Sequence, residues 1–155
     1  MKQILLFLFI LIPINVHAEC STISPPCVAA KDPVTIWLTT GVRSYHEDRV
    51  TPYNENNTGY GLEIRFDCDH ALYVGHYQNS IHRLSEYVGY AWQPVTFGNL
   101  HIGFLNVIAT GYTKTGRGTI IAPVPMASYD WESVGINVII IPSIVTAIQL
   151  KVKIL

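Results

Sequence analysis

The sequence carries little charge. Only 14% of its residues are Asp, Glu, Lys or Arg, and 10 basic residues stand against 11 acidic ones, for a formal net charge of −1. The basic footprint expected of a nucleic-acid-binding protein is absent. Low charge together with 49% hydrophobic residues and nine tyrosines is typical of a membrane β-barrel with aromatic rims. A tightly packed secreted sandwich has a similar composition, so composition alone leaves both classes open.

The sequence also lacks any segment with the length and 3.6-residue apolar period of an amphipathic helix. Its longest uninterrupted apolar run, residues 4–12, is shorter than the roughly 20 residues that a membrane-spanning helix needs. Lys2 precedes this run and the small-residue sequence Val16-His17-Ala18 follows it. This arrangement predicts a secretory signal peptide over residues 1–18. The remaining chain is long enough for one domain.

Cysteines are few, and none forms the CxxC spacing of a metal site. Cys20, Cys27 and Cys68 all follow the predicted cleavage point, in a compartment that permits disulfides. Because three is an odd number, at least one thiol stays free or pairs between chains. We therefore expect a structural disulfide.

His70, His76 and His82 recur every six residues, which places neighbouring side chains about 20 Å apart if they share one extended strand. Histidines this far apart on one strand cannot bind the same metal ion. We therefore expect no metal, and we also expect no cofactor.

Short strand-like runs separated by turn signals fill the rest of the sequence after an irregular, proline-containing segment at residues 19–33. They cover residues 34–46, 58–66, 71–79, 84–92, 99–112, 119–127, 133–141 and 144–154. In the last run, Gln149, Lys151 and Lys153 alternate with apolar residues. Lysines on the inner face of a soluble sandwich are costly to bury, whereas a barrel can offer them a polar lumen or a wet rim.

The predicted fold class is therefore all-β, an eight-stranded antiparallel up-and-down β-barrel of the outer-membrane type over residues 34–155. With eight strands, both ends of the barrel domain lie on one side. The longest connection, residues 47–57, then falls on the opposite side, together with residues 80–83, 113–118 and 142–143. Residues 67–70, 93–98 and 128–132 are predicted as the turns on the side of the termini.

Several motifs occur in a fixed order along this region. They are YNE at residues 53–55, GYGL at 59–62, ALY through GYAW at 71–92, LHIGF at 100–104 and APVPMAS at 122–128. In this order they resemble the lipid A palmitoyltransferases (PagP), a family of eight-stranded outer-membrane barrels with an interior hydrocarbon pocket. The resemblance runs from about residue 36 to residue 155, nearly all of the predicted mature chain.

The resemblance implies an enzyme that moves an acyl chain from a phospholipid to lipid A, the lipid anchor of lipopolysaccharide. It also implies location in the outer membrane and a monomer that needs no cofactor. The family uses a His, an Asp and a Ser near the outer rim. Its Asp-Ser pair falls on Asn79-Ser80, so the serine is kept and the carboxylate is lost. Its His falls on Leu38 or Thr40, neither of which can shuttle a proton.

Other residues are candidates to complete such a site. His46 and His82 lie at the ends of their strands on the same rim as Ser80, and histidine suits general-base work. Ala91 takes the place of the glycine at the floor of the family's acyl pocket, where an added methyl would shorten the chain that fits. Arg43 and Arg49 are candidates to bind lipid A phosphates.

Two other functions remain open. Loss of two of the family's three catalytic residues favours a catalytically inactive outer-membrane barrel that binds a lipid. The modest hydrophobicity of the strands also leaves room for a soluble periplasmic lipid-binding barrel.

Overall fold

Residues 34–112 and 118–155 are described by a computed structural model, in which eight antiparallel strands close into a barrel. In chain order the strands are β1 (Thr35–His46), β2 (Asn56–Arg65), β3 (His70–Gln78), β4 (Leu84–Phe97), β5 (Leu100–Thr110), β6 (Thr119–Asp130), β7 (Val134–Ile141) and β8 (Val145–Lys153). Each pairs with the next, and β1 pairs with β8 to close the sheet. The eight-stranded all-β barrel predicted from the sequence is confirmed. Within the described residues, no helix is long and apolar enough to cross a bilayer.

The alternation in β8 sorts side chains between the lumen and the outer surface as predicted. Gln149 and Lys151 point inward and are only 4% and 1% exposed, whereas Leu150 between them is 57% exposed. Lys153, one step further along, is exposed at the rim. The inner face of β8 is thus polar and buried at Gln149 and Lys151, and open to solvent at Lys153.

The outer surface of the barrel is a belt of apolar side chains. One cross-strand row runs through Leu38, Leu62, Val74, Val88, Ile108 and Ile121. Five of these six side chains are large exposed hydrophobics, and Leu62 is partly exposed. Exposed aromatic residues lie towards the end of the barrel that holds Thr35 and Lys153, namely Phe66, Trp92, Phe97, Tyr129 and Trp131.

The end that holds Thr35 and Lys153 is called the lower end below, and the opposite end the upper end. Turns 66–69, 98–99 and 131–133 lie at the lower end, and connections 47–55, 79–83 and 142–144 at the upper end, where β5 also ends and β6 begins. The sorting of the connections between the two ends agrees with the prediction. The two-residue turn after β4 depends on Gly98, whose φ of 59° is in the left-handed region that glycine adopts without strain.

Two predicted strand ends and their turns were wrong. β4 continues to Phe97 instead of ending at residue 92, because Pro94 sits in a register shift between Trp92 and Val95. A bulge tolerates a residue that cannot donate to the ladder, so this proline bends the strand without ending it. β6 continues to Asp130 because Ser128, assigned to a turn from the sequence, is fully buried in the lumen.

The lower turn 66–69 contains Cys68, which is disulfide-bonded. This agrees with the predicted disulfide. Cys20 and Cys27 lie outside the described residues, as do the predicted signal peptide at 1–18 and the irregular segment at 19–33.

We expect alkylation of the unfolded, unreduced protein to label one of its three cysteines, because a single disulfide uses two of them. A disulfide between Cys68 and Cys20 or Cys27 would close a loop of roughly 40 to 50 residues, which contributes about 3–4 kcal/mol to the free energy of unfolding in the chain-entropy model. Intact-mass spectrometry with and without reductant measures the number of labels. Three labels without reductant would rule out the disulfide.

Candidate functional site

The upper half of the lumen contains an apolar cavity of about 140 Å³. Its walls are mostly aliphatic and come from β5, β6, β7 and β8, including Leu105, Val107, Val124, Ile139, Ile141 and Val145. A few polar side chains also border it, namely Ser44, Asn57, Tyr77, Ser80, Tyr87, Tyr112 and Gln149. Such a space suits an apolar chain with one polar end near the upper rim.

Glycines on β2 and β3 make room for one wall of this cavity. The Tyr87 hydroxyl lies so close to Gly61 and Gly75 that a Cβ on either residue would collide with it. The Tyr87 ring can therefore lean towards β2 and β3 instead of filling the lumen. Gly61, which belongs to the GYGL motif, thus helps to keep the cavity open.

The floor of the cavity is a tightly packed layer. Tyr73, Leu105 and Val124 border the cavity and also belong to the buried hydrophobic cluster. Ala91 belongs to this cluster, is fully buried and pairs across strands with Leu105. Its methyl group is not part of the cavity wall, so Ala91 supports the floor from the adjoining layer.

Below the floor, buried charged side chains cross the lumen. Lys151 Nζ contacts both oxygens of Glu63 at 2.8 Å and Asp130 Oδ1 at 2.7 Å. Arg65 Nη2 donates to Glu63 at 3.1 Å. Two cations and two carboxylates balance, as buried charges require. These four residues are called the charge cluster below.

A circuit of hydrogen bonds connects the charge cluster to the neighbouring strands. Arg65 donates to Gln93, Gln93 to Ser128 and Ser128 to Asn137, over 2.8, 3.0 and 2.8 Å. Asn137 returns a bond to Glu63 at 3.1 Å, which closes the circuit. Because buried polar groups are costly unless bonded, this circuit explains why the lower lumen can be polar and still densely filled.

Ser80 and Asn79 lie in the upper connection between β3 and β4. Ser80 borders the cavity. Asn79 is fully buried, and its amide donates to Ser85 and to the Gly111 carbonyl, each at 2.9 Å. Its side-chain oxygen accepts from the backbone N–H groups of Ile81 and Arg83, each at 3.0 Å. Asn79 thus braces the turn that places Ser80 at the cavity.

His46 ends β1 one inward-facing step above Ser44 and is 5% exposed. Its ring stacks on Tyr53 with centroids 4.3 Å apart. Among the described residues, its Nδ1 atom has no hydrogen-bond partner. The next residue of the same loop, Asn54, donates its backbone N–H to the Ser80 carbonyl at 2.9 Å. Two consecutive loop residues therefore tie His46 and Ser80 to the same part of the rim.

The loop that carries Tyr53 is held by an ion pair. Arg49 contacts Glu55 at 2.5 Å, and Glu55 also accepts the backbone N–H of His46 at 3.3 Å. This backbone hydrogen bond, assisted by Arg49, lowers the pKa of Glu55. The contact therefore persists below the usual titration range of a glutamate and weakens as the pH falls through the lowered value.

The remaining predicted site residues point elsewhere. His82 is exposed on the β3–β4 turn with a φ of 60°. Arg43 is exposed on the outer face of β1. Arg49 lies over the Tyr45 ring at 4.6 Å and is already paired with Glu55. The structure brings Ser80 and His46 to one rim and leaves His82 and Arg43 on the exterior.

Sequence reasoning missed two sets of residues. Glu63 stands between Leu62 and Ile64 in an alternating strand, and this alternation places its carboxylate on the inner face of the barrel. An ion pair with the inward-facing Lys151 could therefore have been predicted from the sequence. Tyr77 and Tyr112, whose hydroxyls are 2.5 Å apart at the cavity, gave no such signal, because Tyr is also abundant on barrel rims. Among the described residues, no group of three or more His, Cys, Asp or Glu side chains could hold a metal ion.

The sheet is incomplete between β6 and β7. These strands pair only over Met126–Asp130 and Gly135–Ile139, whereas β5 and β6 pair along their whole length. The unpaired part of β6 contains Pro123 and Pro125, which have no N–H to donate. A lateral gap in the hydrogen-bonded wall therefore lies beside the cavity, in the upper half of the barrel.

Comparison with known proteins gives a partial match. The chain is similar to a lipid A acyltransferase. It is 38% identical over 55 residues to the lipid A acyltransferase PagP of Laribacter hongkongensis (strain HLHK9). The match covers 33% of this chain and 27% of that protein. No protein-family model matches.

Proposed function

We propose that the protein is an outer-membrane, lipid A acyltransferase-like barrel that moves an acyl chain from a phospholipid to lipid A. The observation that carries this proposal is the apolar cavity inside the closed barrel, with Ser80 at its border. The partial similarity to a lipid A acyltransferase and the ordered motifs between residues 53 and 128 support the same function.

A membrane location is supported by the outer surface. Exposed aliphatic side chains such as Val74, Val88 and Ile108 cover the middle of the wall. Exposed aromatics such as Phe97 and Trp131 lie towards the lower end, and Tyr45 and Tyr60 towards the upper end. An apolar band flanked by aromatic residues is the pattern of barrels that span a bilayer.

The gap between β6 and β7 gives an acyl chain a route from the bilayer into the cavity. The other strand pairs run along most of their strands, with register shifts only between Thr39 and Val42 and between Trp92 and Val95 among the described residues. Beside Pro123 and Pro125 no ladder has to be broken. An acyl chain that enters here would pass from the apolar outer belt to the apolar lumen without crossing water.

Acyl transfer breaks the ester C–O bond of the phospholipid and forms an ester to a lipid A hydroxyl. The proton lost by that hydroxyl ends on the oxygen of the lysophospholipid. We assign His46 to accept and return this proton, because its Nδ1 has no partner among the described residues. Ser80 then acts either as an oxyanion contact or as a nucleophile that carries the acyl group between two steps. His82 is the alternative base, and Asn79 holds the turn.

Two further assignments concern the substrates. Ala91 would limit the length of the acyl chain through Leu105, since removal of its methyl would let the floor settle lower. Arg43 is available for a lipid phosphate at the outer surface, whereas Arg49 would first have to leave Glu55. Phospholipid and lipid A are the proposed partners of a monomer.

A catalytically inactive, lipid-binding barrel is the second candidate. It is favoured by the hydrogen bonds of Asn79, whose side chain is fully occupied by protein partners in its own turn, in β4 and at Gly111. His46 also lacks a carboxylate at Nδ1 among the described residues, and such a partner orients the base in many acyl-transfer sites. The two candidates differ in one result, because incubation of the purified protein with labelled phospholipid and lipid A yields acylated lipid A only if the protein is an enzyme.

We expect the expressed protein to fractionate with outer membranes and to change its gel mobility on heating, since a closed barrel stays folded in detergent until heated. Fractionation beside a periplasmic marker protein, with heated and unheated gel samples, tests this. Release by osmotic shock together with that marker would contradict the membrane location.

A further inference from the structure

Two tyrosines from different parts of the chain meet at the upper border of the cavity. Tyr77 lies near the end of β3, and Tyr112 follows β5. Their hydroxyl oxygens are 2.5 Å apart, and both side chains border the cavity together with Ser80. The pair is therefore placed where the polar end of a chain in the cavity would lie.

The hydrogens of this pair can be counted. Two hydroxyls bring two hydrogens, and their mutual bond uses one of them. Ser85 also interacts with Tyr77, but the hydrogen of Ser85 is directed to the Thr110 carbonyl at 2.5 Å. When Tyr77 donates to Tyr112, the Tyr112 hydrogen remains available to a group in the cavity. Burial raises the pKa of Tyr112, so this hydroxyl keeps its proton at neutral pH and acts as a donor.

Three other polar side chains at the cavity use their hydrogen-bond donors within the protein. Ser44 donates to Asn57, and Asn57 donates to the carbonyls of Asn54 and Gln78. Gln149 donates to the Thr40 carbonyl at 3.0 Å. The Tyr87 hydroxyl also borders the cavity and has no hydrogen-bond partner among the described residues, but it lies against Gly61 and Gly75 of the wall. Tyr112 differs from it in being held by a second tyrosine at the border that Ser80 shares.

We propose that the Tyr112 hydroxyl, held by Tyr77, donates a hydrogen bond to the ester carbonyl of an acyl chain in the cavity. This rests on the proposed function only in that the occupant is an acyl ester. Tyr112 would then touch the substrate, and Tyr77 would be a positioning residue. The donor would also stabilise the charge that develops on that oxygen when the ester is attacked.

The test compares two lipids that differ in one carbonyl. A monoacylglycerol and the monoalkylglycerol ether of the same chain length are titrated into the purified full-length protein in detergent micelles by calorimetry. Wild type should bind the ester roughly fivefold more tightly, the range of one net hydrogen bond. Tyr112→Phe should lose this preference and keep its affinity for the ether within about twofold.

Tyr77→Phe is the matched control, because it removes the same kind of hydroxyl and leaves the Tyr112 hydrogen free to reach the ligand. It should keep a reduced preference for the ester, because the donor remains but has lost the hydroxyl that holds it in place. A merely structural role of the pair predicts instead that both variants weaken both lipids equally, and that result would overturn the proposal. Equal affinity of wild type for ester and ether would overturn it as well, while the proposed lipid-binding function would stand.

A second measurement needs no variant. The infrared stretch of a carbonyl-labelled ester bound to wild type should lie at a lower frequency than in empty micelles, as a hydrogen-bonded carbonyl requires. An unshifted band from bound ester contradicts the donor. Failure of both lipids to bind wild type would instead defeat the proposed function, and the inference with it.

Discussion

Replacement of Glu63 by glutamine should destabilise the barrel by about 3–5 kcal/mol, the range for breaking a buried ion pair by removing one partner. Glu63 is fully buried and receives both Lys151 and Arg65. Without its charge, two cations share only Asp130, and Lys151, itself 1% exposed, cannot reach water. Unfolding in urea, followed by tryptophan fluorescence in lipid vesicles, measures the free energy.

Two variants control this experiment. Glu63→Gln combined with Lys151→Met removes one charge of each sign and should recover at least half of the loss, since Arg65 and Asp130 then balance. Lys153→Met changes the next inward-facing lysine of β8, which is exposed at the rim, and should cost less than about 0.5 kcal/mol. If Glu63→Gln were as mild as Lys153→Met, the charge cluster would not support the lower lumen.

In the transfer assay, Ser80→Ala should lower the rate of acyl transfer by at least about 100-fold, the effect of losing one oxyanion donor. A nucleophilic serine would give a still larger loss. The barrel should stay folded, because the turn is held by the side chain of Asn79 and by the backbone of Ser80, which accepts the Asn54 N–H. Release of labelled lysophospholipid and the gel mobility of the unheated protein report the two properties separately.

Ser133→Ala is the matched control, because Ser133 is an exposed turn serine at the lower end, far along the barrel from the cavity. It should transfer acyl chains at the wild-type rate. Transfer that continues unchanged in Ser80→Ala would remove Ser80 from the site, even if the barrel proved to be an acyltransferase.

The barrel could be predicted because its strands alternate strictly. In β8, three polar residues among apolar ones fixed the lumen face, and an even number of strands fixed which connections share an end. The end of β4 could not be predicted, because Pro94 is a strand breaker by local rules and is tolerated only through a bulge against β5. Ser128 looked like a turn residue, since its burial depends on Gln93 and Asn137 from other strands.

The site was less predictable than the fold. The positions of Ser80 and His46 at one rim followed from strand order and from the resemblance. Whether each side chain faces the cavity depends on register shifts such as the one between Thr40 and Val42, which turns Ser44 and His46 inward. The contact between Tyr77 and Tyr112 joins residues 35 positions apart. Local sequence patterns do not predict such a contact, because it depends on how the strands are arranged around the barrel.

Acyl transfer to lipid A can be measured by mass spectrometry of lipid A from cells that express the protein and from cells with an empty vector. We expect a new lipid A species heavier by one acyl chain in cells with wild type, and its absence in cells with the Ser80→Ala variant at equal membrane levels. Identical lipid A spectra with and without wild type, when the folded barrel is present in the outer membrane, would contradict it.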